Sequence, residues 1–142
     1  MNPNYLLTLD PASAARIARL MAASTTAKTF YLSAMRFSVT VVTDRTKANA
    51  ASRFKAPTGN LLGNIQGVVI SPWLGVVGAT NNVAYARRRE FGFSGMTDSL
   101  GRYYPDDPGA FYLRDGLNDS RADIEGAFMA ATTMQMRSIA LP

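Results

Sequence analysis

Apolar residues recur at helical spacing near the start of the chain, alternate through its middle and return to helical spacing at its end. Ala14, Ile17, Leu20 and Met21 share one helical face. Asp10-Pro11 ahead of them supplies an N-cap and a first-turn proline, so a helix is predicted over about 11–22. The small, polar run ASTTAKT at 23–29 reads as a kink or brief linker. Phe30, Ala34, Phe37 and Val41 give a second helical stripe, although FSVTVV at 37–42 is β-branched and alternating. No glycine or proline interrupts residues 24–56. One long helix is therefore predicted there, ended by Pro57, because proline disfavours the α conformation in the residue before it.

The pattern then changes. Thr58 is placed to cap a short helical turn carrying Leu61, Leu62 and Ile65. Two short β-rich runs, about 66–71 and 74–80, flank Ser71-Pro72-Trp73, which has the composition of a hairpin turn with Trp73 anchoring its end. Asn81-Asn82 marks another turn, and YARRREFG at 85–92 reads as a helical turn closed by Gly92. Residues 92–109 are rich in glycine, aspartate and proline and read as a long loop. Leu113, Leu117, Ile124, Phe128, Ala131 and Met134 give a C-terminal amphipathic helix over about 111–138. Gly116 and Gly126 weaken that helix by about 1 kcal/mol each, so it depends on tertiary packing. The predicted class is α+β: N-terminal helices including one long helix, a small antiparallel sheet, and a C-terminal helix packed on it. Residues 1–142 read as one domain, with 1–9 as an extended arm.

Composition narrows the chemistry. The chain has neither cysteine nor histidine. That removes disulfides, thiolate nucleophiles, Cys-based zinc sites, the Ser-His and Cys-His pairings and the commonest general base. No apolar run reaches the ~18 residues of a membrane span, and MNPNYLLTLD lacks the pattern of a signal peptide. No catalytic, cofactor-binding or metal-binding residue is expected. Asp106-Asp107 stands between prolines and reads as a turn rather than a magnesium site. The glycines of GNLLGNIQG and GVVG fit no phosphate loop, since no Gly-Lys-Ser/Thr follows. The net charge is +5, and residues 1–56 hold eight Lys/Arg against two acids. Such a balance suits an acidic partner.

Arg87, Arg88 and Arg89 are the most conspicuous charge cluster. On a helix, successive residues turn by about 100°, so the three fan over about 200° and cannot all face one duplex. Arg87 and Glu90 stand at i, i+3, close enough to pair. Three readings stay open: solvated charge beside the anchors Tyr85 and Phe91, a contact between subunits, or a grip on nucleic acid. Tyr103 and Tyr104 beside Arg102 suit base stacking, or packing on their own domain or on a neighbour.

Three segments taken in order carry a resemblance. KAPTGNLLGNI (55–65) is similar to an Ala-Pro…Thr-Gly-x-Leu…Ile element, YARRREFG to a Tyr-Ala…Glu-Phe-Gly element, and FYLRDGLNDSRADI (111–124) to a closing Phe-Leu-x-x-Ala-Leu…Ile helix. Together they resemble the gene-ten-like neck or tail-completion family of long-tailed, lambdoid-type phages and prophages. The resemblance implies a non-catalytic subunit of a ring at the head–tail junction of the virion, made in the host cytoplasm. Six-fold symmetry is the expectation and twelve-fold the alternative. The neighbours would be connector or portal-side and tail-tube proteins, with DNA passing through the channel without sequence-specific contact and no membrane involved.

A ring needs one patch to meet a different patch on the next copy. The expected contact residues are Tyr85, Arg87, Arg88, Arg89, Glu90, Phe91, Arg102, Tyr103 and Tyr104, with residues 1–9 and 92–109 reaching across. The basic N-terminal helices, through Arg16, Arg19 and Arg36, are expected to dock on an acidic neighbouring ring. The alternatives are a tail terminator or other connector subunit, a small basic nucleic-acid-binding protein, and a histidine-free enzyme working through Tyr, Arg and Asp.

Overall fold

A computed structural model describes residues 10–54, 59–80, 83 and 85–140. The expected arm at 1–9, the Thr58 cap and the Asn81-Asn82 turn lie outside the described residues. The architecture is α+β: one long helix, a two-stranded antiparallel sheet and C-terminal helices.

Helix α1 runs from Pro11 to Arg53 without interruption. Asp10 caps it, its carboxylate accepting the Ala12 and Ser13 N–H groups at 3.0 Å. The break expected at 23–29 does not occur. Thr25 and Thr26 turn their hydroxyls back onto the Met21 and Ala22 carbonyls, so their polarity is met within the helix. The helix also stops before the predicted residue 56. Phe54 is extended (φ −104°, ψ 128°), which carries its ring edge-on to Tyr112 at 5.8 Å.

Helix α2 (Gly59–Asn64) leads into β1 (Ile65–Ser71), which pairs with β2 (Leu74–Ala79). Ile65 faces Ala79, Gly67 faces Val77 and Ser71 faces Leu74, with an irregularity between Val69 and Ser71. The hairpin lies on α1 through a notch. A Cβ added at Gly67 or Gly75 would collide with the Val39 side chain, so the two glycines let helix and sheet approach closely. Trp73 at the hairpin tip packs on Tyr31 of α1, ring centroids 4.5 Å apart.

Helix α3 (Ala86–Phe91) ends at Gly92 (φ 73°), as the sequence predicts. The stretch 92–109 is ordered rather than a plain loop. It holds the short strands β3 (Met96–Thr97) and β4 (Tyr103–Tyr104), paired antiparallel. Its base is pinned by reciprocal Phe93–Asp107 backbone bonds of 2.9 Å. Gly92 and Gly109, both at positive φ, meet there backbone to backbone, where a side chain on either would clash.

The predicted C-terminal helix is two helices, α4 (Tyr112–Asp119) and α5 (Arg121–Ala140). Ser120 separates them: its N–H donates to the Leu117 and Asn118 carbonyls, and its hydroxyl donates to the Gly116 carbonyl at 2.7 Å. Both run antiparallel to α1. Arg53 pairs with Asp115, Asn49 with Asp119 and Arg45 with Asp123, while the Tyr31 hydroxyl bonds to Thr132 and Gln135. The core gathers at one end, where Ala50, Leu61, Ile65, Val83, Ala86 and Tyr112 are buried together. Val77, Ala79 and Leu113 pack against them, so α4 meets the sheet at the hairpin base.

Candidate functional site

The candidate contact residues fall on α3 and on the 92–109 excursion. Helical geometry sends the three arginines in different directions. Arg88 lies over the Phe93 ring at 5.8 Å, and Arg89 lies over Phe54 at 5.4 Å with Asp107 at 3.8 Å. Arg87 is exposed, and no ion pair joins it to another described residue. Tyr85 and Phe91 keep substantial exposure, Phe91 the more so at 66%.

Glu90 departs from expectation. It is buried and does not pair with Arg87. Its carboxylate accepts the Leu113 N–H at 2.8 Å and the Arg114 N–H at 3.0 Å, filling the place of an N-cap on α4. The residue in the N-cap position, Phe111, has no capping side chain and sits in the left-handed region (φ 49°, ψ 34°). That conformation is costly for a bulky residue. It is held by the Phe111 N–H bond to the Glu90 carbonyl and by the Arg114 guanidinium 3.9 Å above the ring. Beside Glu90, burial pushes the Tyr112 hydroxyl up to about 12, with the Glu90 charge and then Tyr85 adding to the effect. That hydroxyl donates to the Ala86 carbonyl at 3.2 Å.

Arg102, Tyr103 and Tyr104 lie on the second hairpin. Asp98 organises it by accepting the Leu100 and Arg102 backbone N–H groups and the Arg102 Nε. The Arg102 backbone N–H, then its side chain, hold the Asp98 carboxyl below its usual range. Asp106 accepts the Gly95 N–H and Asp107 the Gly109 N–H, so both serve the turn. Among the described residues no cluster of acids is arranged to hold a metal ion.

Sequence reading missed the larger apolar surfaces. The hairpin face turned away from α1 carries Val68, Ile70, Leu74 and Val76, each at least half exposed. The first part of α1 projects beyond the other helices: no residue from Asp10 to Thr26 is buried, and Ile17, Leu20 and Met21 line it. An available signal was the unbroken apolar run GVVI, which suits a strand covered on both faces. This chain covers one.

An apolar groove of about 480 Å³ opens between α1, β2, α3 and α4. Met35, Val39, Val42, Val77, Phe91 and Leu117 line it. Of the candidate residues, Phe91 and Glu90 reach it, whereas Arg102, Tyr103 and Tyr104 do not. No helix among the described residues is long and apolar enough to cross a membrane. Comparison with family models, curated proteins and solved structures finds no match to this chain.

Proposed function

We propose that this chain is a structural subunit of a phage head–tail junction, forming a ring around the DNA channel between connector and tail. One observation carries the reading. Two unlike apolar surfaces are left uncovered in different parts of the fold: the Ile17-Leu20-Met21 stripe of the projecting helix and the Val68-Ile70-Leu74-Val76 face of the hairpin. Unlike patches that meet across copies make a heterologous contact, which closes into a ring when the rotation permits. Large exposed apolar patches mark interaction surfaces in general. The sequence resemblance to the neck and tail-completion family supplies the location and the six-fold expectation.

Arg16 and Arg19 share the projecting helix with the apolar stripe, so the same arm offers charge to an acidic neighbouring ring. Arg87 and Phe91 remain candidates for contact, while Glu90 is committed within the subunit.

Negative-stain microscopy and native mass spectrometry of the purified chain, alone and mixed with the products of its neighbouring genes, test the proposal. Rings are expected, and Val68→Lys with Ile70→Lys should abolish them without lowering the unfolding midpoint. Persistent monomers in every mixture, or salt-steep DNA binding by the isolated chain, would overturn the reading.

A further inference from the structure

The groove between α1, β2, α3 and α4 is apolar, and its polar groups already have partners. Glu90 is satisfied by the two N–H groups of α4. Arg114 is held by Asp115 at 3.0 Å and by the Phe111 ring. An occupant must therefore be uncharged and largely apolar.

Residues 5–9 of this chain, Tyr-Leu-Leu-Thr-Leu, have that chemistry and carry no charge. They adjoin Asp10, at the far end of the projecting helix. Asp10 and Met35, the nearest groove residue on α1, are twenty-five positions apart on one helix, about 37 Å at the α-helical rise. Five residues, fully extended, span at most about 18 Å. Residues 5–9 therefore cannot reach the groove of their own subunit.

We infer that residues 5–9 of one copy occupy the Met35–Val39–Leu117 groove of the next copy. This deepens the ring reading and rests on it. The contact is heterologous, with the segment ahead of the start of α1 and the groove beyond its midpoint, so each copy gives one and receives one. Phe91, on the groove wall, is the residue of the arginine segment that meets the neighbour.

Because the chain has no cysteine, engineered cysteines report this contact without background. Full-length Leu7→Cys and Leu117→Cys chains are mixed and oxidised. Disulfide-linked unlike pairs should exceed those of Leu7→Cys mixed with Ser99→Cys, an exposed turn position, by about tenfold, because docking raises the effective concentration. The double variant L7C/L117C should give a ladder of covalently joined chains. An internally bonded monomer would overturn the inference. So would the absence of linkage while rings remain visible in negative stain, an outcome that leaves the ring reading standing. A chain that assembles under no condition by native mass spectrometry overturns both.

Discussion

The Glu90 carboxylate accepts the Leu113 N–H at 2.8 Å, so a side chain of α3 closes the N-terminus of α4. Helix starts leave backbone N–H groups without partners, and local Ser, Thr, Asp or Asn residues usually meet them. Here the local residue is Phe111, and the cap comes from twenty-three positions away. The contact ties the arginine segment to the C-terminal helices.

Removing that cap should be costly. Glu90→Ala leaves two partly buried N–H groups unmet, and the loss should be about 2–4 kcal/mol in urea unfolding. Glu90→Gln keeps one acceptor and should lose about half as much. An Arg87→Ala change should leave the midpoint unmoved, since Glu90 is not its partner.

The glycine notch makes a second prediction. Gly75→Ala drives a methyl into Val39 and Met35, and the hairpin must shift from α1 at about 1–3 kcal/mol. Gly78 on the same strand has open space where a Cβ would stand. Gly78→Ala should be neutral or slightly stabilising, and the pair of variants measured by thermal unfolding isolates the close approach.

Thr46 is fully buried against Gly116, and its hydroxyl has no hydrogen-bond partner among the described residues. A buried hydroxyl without a partner lowers stability, and valine has nearly the same shape. Thr46→Val should raise stability by about 1 kcal/mol. Gly116→Ala at the same crossing should lower it, because the added methyl meets the Thr46 backbone.

Tyr112 gives a pH signature. Its folded value of about 12 lies above the ordinary 10.0. The folded state therefore holds the proton more tightly than the unfolded one. The stabilisation is complete below pH 10 and falls away as the pH rises from 10 towards 12. Urea midpoints should drop across that window, and Tyr112→Phe should flatten the drop. At neutral pH the same variant loses only the bond to the Ala86 carbonyl, about 1 kcal/mol.

By itself the sequence determined the main helix and hairpin signals and what chemistry is on offer, but not the continuity of α1, the β3–β4 pair or the split between α4 and α5. Helical spacing, the Asp10-Pro11 start, the apolar runs around Ser71-Pro72-Trp73 and the Gly92 stop are local signals, and local backbone preferences suffice to read them. The tertiary structure decided which faces are inside. Of the predicted stripe, Ala34 is buried but Phe37 is half exposed, and beside Val39 and Val42 the buried side of α1 is made of Ala27, Ser38, Thr46 and Ala50. Small residues bury there because they let helices and sheet come close, and hydrophobicity does not mark them. Glu90 read as a surface charge because the N–H groups it serves are distant in sequence. The same distance hid the groove, whose walls come from four elements, and the hairpin face that the chain leaves open.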